Sequence, residues 1–218
     1  MKQTKTSFSR RAFLALSTLG ALFFGRTAEA GIFQRSTFSI LKSRRIVTGH
    51  DAAGKSVFVQ TAPAPRAITS TAFPGFAMVE LWSTDGTQKI PVSKSDPTVS
   101  MTSFVPPLGG SRFRMVEFPR ASKGKFDAEA FHQDLLKKAP GLAETAEPPD
   151  YAMHTTDSVD YGIVISGQMT LVLDDQRIVD LKPGDCVIQN GTRHAWWNRG
   201  RRPCVMAFVL VGAMRDRV

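Results

Sequence analysis

The sequence predicts an all-β domain, one antiparallel barrel of two facing sheets with a single short helix outside it. Three observations carry this prediction. Between Tyr151 and Val211, short alternating apolar runs recur at even spacing between turn residues. Only Ala128–Lys138 reads as a convincing helix. The 218 residues, 42% of them apolar, suit one domain with a substantial core.

Residues 1–30 stand apart from that domain. Lys2 and Lys5 precede Ser9-Arg10-Arg11-Ala12-Phe13-Leu14, an apolar run over Ala12–Gly25 follows, and Ala28-Glu29-Ala30 forms a small-x-small cleavage site. The twin arginine followed by Phe-Leu resembles the signal that exports folded proteins. It implies cleavage after Ala30 and a periplasmic or secreted product. The apolar run falls short of the roughly 20 residues a spanning helix needs, so no stable membrane span is expected.

The remaining elements follow in order. Arg45–Thr48 and Ser56–Val59 flank His50-Asp51-Ala52-Ala53-Gly54, a hairpin turn. The Pro-, Ala- and Thr-rich stretch 61–74 reads as a loop, Phe76–Trp82 as a strand, and 83–110 as a long polar connection of the kind that covers a site. Ser111–Phe118 is the next strand, and with it the N-terminal part, 31–120, ends. Segment 121–150 is helix and linker. Its helix has Asp127 as N-cap, Phe131 and Leu135 on one face, and Lys137-Lys138 before Pro140-Gly141. The core, 151–213, holds strands at Tyr161–Ser166, Gln168–Leu173, Arg177–Leu181, Cys186–Gln189, Ala195–Asn198 and Cys204–Val211.

Charge and cysteine content narrow the partners. Of the net charge of +9, residues 1–30 hold five basic side chains against Glu29, which leaves +5 for the rest. The basic residues are not interleaved with aromatics, and Arg199–Arg202 reads as a solvated loop, so no nucleic acid is expected. Cys186 and Cys204 sit in apolar strand-like runs and are expected as two buried thiols rather than a disulfide. His50 and His132 are both expected to face water.

Two polar blocks in the core form one pattern. His154, Thr156, Asp160 and Gly167 stand as H-x-T-x(3)-D-x(6)-G, and Gly184, Gly191, His194 and Asn198 as G-x(6)-G-x(2)-H-x(3)-N. This resembles the paired signature of the cupin superfamily, H-x-H-x(3,4)-E-x(6)-G followed by G-x(5)-P-x-G-x(2)-H-x(3)-N. Here Thr156 replaces the second histidine, the second block is one residue shorter, and Gln189 stands where proline is usual. The resemblance implies a single cupin double-stranded β-helix, or jelly-roll barrel, that pairs as a homodimer. It also implies that His154, Asp160 and His194 hold one divalent first-row metal, iron ahead of manganese, nickel or zinc. The function it implies is an enzyme on a small oxygenated or carboxylated compound, with oxidoreductase first. An isomerase, dehydratase or decarboxylase, or a metal-free binder with no cofactor, stays open.

Strand periodicity assigns the neighbours of that site. Asp160, Gly162 and Val164 share one face, as do His194, Trp196 and Asn198. Thr156, Trp196 and Asn198 are therefore expected to contact substrate, and Gly162 to leave room for substrate or water. Arg112 and Arg114 alternate on one strand, either as a carboxylate clamp in the barrel or as an exposed face. A metal-free binder would hold its ligand between Trp82, Val164 and Trp196.

Overall fold

The computed structural model describes residues 39–86, 88, 90, 95–120, 126–149 and 151–216. The expected signal segment, 1–30, lies outside them. The strands are β1 Arg44–His50, β2 Ser56–Pro63, β3 Arg66–Thr69, β4 Ala77–Thr84, β5 Ser111–Phe118, β6 Ser158–Ser166, β7 Met169–Val172, β8 Ile178–Leu181, β9 Cys186–Asn190, β10 Ala195–Trp197 and β11 Cys204–Gly212. They form a six-stranded sheet in the order β3-β4-β5-β11-β6-β9, a three-stranded sheet β10-β7-β8, and the hairpin β1-β2. Every pairing is antiparallel.

Alternation decides which side chains enter the barrel. Along β6, Ser158, Asp160, Gly162 and Val164 are buried, while Tyr161, Ile163 and Ile165 are exposed. Val164, Met206 and Phe208 from the large sheet meet Met169, Leu171 and Leu181 from the small one in a single core. Gly167 makes the β6–β7 turn at φ +81°, where an added Cβ would lie 2.4 Å from the Pro203 carbonyl oxygen.

Three local expectations change. Arg66–Thr69, read as loop, is an edge strand on β4 with Ala67 opposite Val79, because Ile68 is needed to fill the core. The 83–110 connection carries the short helix α1, Pro97–Ser100, and sends Phe104 fully into the core. Both cysteines are free, yet Cys186 is exposed, since Val187 and Gln189 take the more buried positions of β9. Cys204 is buried, and that burial pushes its thiol up to about 11.

The helix α2, Ala128–Lys138, forms as expected, its N-cap Asp127 accepting from the Ala130 amide at 2.9 Å. Its apolar face is not merely laid on the barrel's exterior. Phe131 and Leu135 pack against the core cluster and face an internal cavity.

Candidate functional site

The site begins with a backbone contact. His154 and His194 lie on separate segments that meet in one bridge, each amide donating to the other residue's carbonyl at 2.9 and 3.0 Å. This places the two imidazoles with ring centroids 4.2 Å apart. His154 Nδ1 contacts the Ala152 carbonyl at 3.1 Å, and His194 Nδ1 the Thr192 carbonyl at 2.8 Å. A carbonyl only accepts, so both Nδ1 atoms carry the proton and both Nε2 atoms keep a lone pair. Among the described residues neither Nε2 makes a hydrogen bond.

Burial keeps these rings neutral. It pushes His154 down to about 4, helped by the adjacent His194, and it lowers His194 as well. Trp196 stands edge-on to His194 at 5.5 Å and to Phe208 at 5.4 Å, which fixes the ring's other side.

Asp160 approaches from β6. Ser158 Oγ donates to its Oδ1 at 2.5 Å, and Thr156 Oγ1 stands 3.5 Å from its Oδ2. Burial raises the pKa of the Asp160 carboxyl, against the lowering effects of the Ser158 bond and the Arg114 charge. Arg114 is committed elsewhere: it pairs with Glu80 at 2.7 Å and donates to the Phe104 carbonyl, with both ionic partners buried. Burial raises Glu80 too, opposed first by Arg114.

These groups occupy one end of a cavity of about 560 Å³. His154, Thr156, Asp160, His194, Trp196, Asn198 and Arg114 all line it. The rest of its wall is mostly apolar, and six phenylalanines line it: Phe73, Phe76, Phe118, Phe126, Phe131 and, beside Trp196, Phe208. Sequence reasoning missed this wall because its members come from the loop before β4, from β4's approach, from β5 and β11, from the residue before the α2 cap and from α2 itself. Only the Phe131/Leu135 stripe was visible beforehand. Ser158 was missed too, although its place two residues before Asp160 on the same face of a strand could have found it.

Several expected roles change. Arg112 does not line the cavity; it pairs with Asp85 at 2.8 Å and donates to the carbonyls of Ser103, Thr84 and Ser111. Neither arginine lies on an exposed strand face: both are buried, Arg114 with its charge met by buried Glu80 and Arg112 with its charge met by the exposed Asp85. Asn198 Nδ2 donates to the carbonyls of Phe118 and Arg202, and its Oδ1 accepts from the Gly200 amide at 2.9 Å. It staples a loop. A Cβ on Gly162 would meet the Phe208 ring at 3.1 Å, so that ring takes the space expected for substrate or water. Neither Trp82 nor Val164 lines the cavity; Trp82 lies under the Arg45 guanidinium instead. His132 does not simply face water: it is half-buried, stacked on Tyr151 at 4.2 Å, and its Nε2 bonds the Ala143 carbonyl. His50 is exposed.

The donor set matches a divalent first-row metal in kind, with two imidazoles and one carboxylate at one cavity end. In position it is partly formed. The imidazole pair is in place, whereas Asp160 is turned to Ser158 and Thr156. Among the described residues no three His, Cys, Asp or Glu side chains converge closely enough to hold an ion.

A jelly roll that brings histidines of two sequence blocks together over an internal cavity defines a cupin. The comparisons with known proteins agree: residues 142–211 match the cupin domain model. The chain is 31% identical over 161 residues to phomopsin biosynthesis cluster protein C' of Diaporthe leptostromiformis, covering 71% of this chain and 70% of that protein. It is 31% identical over 171 residues to the cupin-domain-containing oxidoreductase fogC of Aspergillus ruber, covering 77% and 71% respectively. Against the cupin-domain-containing oxidoreductase virC of Hypocrea virens it is 29% identical over 194 residues, covering 81% and 80%. The chain belongs to the cupin superfamily.

Proposed function

We propose that the protein is a metal-dependent oxidoreductase that acts on a small oxygenated organic compound held in the cavity. The observation that carries this reading is the imidazole pair, neutral, anchored through both Nδ1 atoms, with both rings lining the cavity and each Nε2 lone pair left free of a described hydrogen bond. His154 and His194 would hold one divalent first-row metal, iron before the others, with Asp160 as the carboxylate of the set. Such a metal supplies Lewis acidity and a route for electrons. The chain's own residues do the remainder. The Ala152 and Thr192 carbonyls fix the tautomers, Ser158 and Thr156 orient Asp160, and the aromatic wall excludes water from the substrate. The names of the relatives from Aspergillus and Hypocrea favour oxidation over isomerisation.

Elemental analysis of protein purified without chelator tests this. One equivalent of a first-row metal is expected in the wild type, and none in His194→Ala. Trace metal in both would favour a second reading, a metal-free acid–base site. Its support is the opposed tuning of the groups: burial raises Asp160 and lowers His154 and His194.

Two further parts of the reading rest on other features. The Arg10-Arg11 segment and Ala28-Glu29-Ala30 favour export, so replacing both arginines with lysine should leave the protein inside the cell. Exposed Ile46, Phe58 and Val59 on β1 and β2 favour a homodimer, and light scattering should give twice the chain mass. Among the described residues no helix is long and apolar enough to cross a membrane.

A further inference from the structure

The cavity is far larger than a metal and its waters require. An apolar void of this size would weaken the fold if its purpose were packing, because its walls would lack contacts on one side. Its volume of about 560 Å³ lies in the range of sites for small organic ligands. Part of the wall is an aromatic cluster: the Phe73 ring centroid sits 4.6 Å from that of Phe126 and 5.3 Å from that of Phe131, and Phe76 sits 5.0 Å from Phe131, in tilted or edge-on geometries. This arrangement suits ring edges and hydrocarbon, and it offers few polar partners.

The wall is also held in advance. On α2, Glu129 is hydrogen-bonded to the Tyr151 side chain, and His132 both stacks on Tyr151 and bonds the Ala143 carbonyl. These contacts tie the helix to the segment leading into His154. Among the described residues, the charged groups that line the cavity are Arg114 and Asp160 at the histidine end, and Arg199. Arg199 is solvent-exposed with its guanidinium 4.8 Å above the Trp197 ring.

We infer that the substrate is a lipophilic ring compound: a ring bearing one oxygen function that meets His154 and His194, with a hydrocarbon tail or second ring lodged among Phe73, Phe76 and Phe131. This rests on the proposed function for which end of the cavity reacts, and not on what metal that end holds. The carboxylated compounds admitted by the sequence are disfavoured when the second charge would fall among the phenylalanines.

The test keeps the oxygen function constant and varies the remainder. Binding of phenol, 4-hydroxyphenylacetate and 4-hexylphenol to the full-length purified protein can be followed through Trp196 and Trp197, which line the cavity. 4-Hexylphenol should bind at least about 30-fold more tightly than either of the others, because the buried tail adds apolar contact. Phe131→Ser should remove at least about 10-fold of that preference. Phe126 is 43% exposed, so Phe126→Ser is a second variant that carries little folding cost, and it should weaken tail binding in the same direction. Equal binding of all three phenols, or a preference untouched by either folded variant, would overturn the inference. His194→Ala separates the two proposals: loss of metal with the tail preference intact supports both, and a wild type without metal that still prefers the tail defeats only the metal reading.

Discussion

The two ends of the cavity are built by different rules. At the histidine end, each polar side chain is oriented by a group two residues away: His154 by Ala152, His194 by Thr192, and Asp160 by Ser158. At the aromatic end, the members lie as far apart in sequence as Phe73 and Phe131, and only packing brings them together. The first end is a set of local hydrogen bonds that one strand bridge joins. The second exists only when the sheet and α2 have docked. The histidine end should therefore tolerate losing a side chain with little change in fold, whereas at the aromatic end a lost side chain should cost some stability and ligand affinity together.

The largest effect should come from His194→Ala. Metal content should fall to background, and turnover should fall by more than the roughly 10–100-fold typical of disturbing a metal ligand's hydrogen-bond partner. Thermal unfolding should move little, because the His154–His194 bridge is made by backbone. A collapse in stability would show that the two ends are not separable.

Arg114 lines the histidine end beside the Asp160 charge. Arg114→Leu leaves Glu80 buried without its partner and should cost about 3–5 kcal/mol in urea unfolding. Adding Glu80→Leu should recover much of that loss. A double variant no more stable than the single would mean that Arg114 acts through the Phe104 carbonyl alone.

Acid should act through the histidine end. Free histidine titrates near 6.5, and folded His154 near 4. Between these values the unfolded chain takes up a proton that the folded chain refuses. Stability of the metal-free protein is thus fully present above 6.5 and declines as the pH falls from 6.5 toward 4, by up to about 3 kcal/mol. His154→Gln should flatten that decline, as urea midpoints measured across the interval would reveal.

The smallest effect belongs to the far wall. Phe131→Ala should cost about 1–3 kcal/mol, less than a fully buried phenylalanine because the side chain is only partly buried. Metal content should not change. If that substitution released metal, the division between local and long-range construction would fail.

How much was legible follows the same division. The alternation of β6 and the cap at Asp127 are local patterns, and their predicted places agree with the structure. The pairing of two histidines 40 positions apart was legible only through the resemblance to a family signature, since no periodicity links separate segments. Arg112 and Arg114 were readable as inward-facing or outward-facing and no further. That their charges are met by Asp85 and Glu80 depends on how β4 and its following loop lie beside β5. Gly162 marked an inward position, but its empty space was assigned by Phe208 on the neighbouring strand.

The sequence by itself determined the all-β class, the order of most strands and the helix, because these depend on side-chain period and turn chemistry within a few residues. Tertiary structure decided the cavity, its aromatic wall, the commitment of both arginines and the stapling role of Asn198. Each of these depends on which distant side chain occupies a given volume or meets a given charge, and close packing settles that only when the sheets and α2 come together.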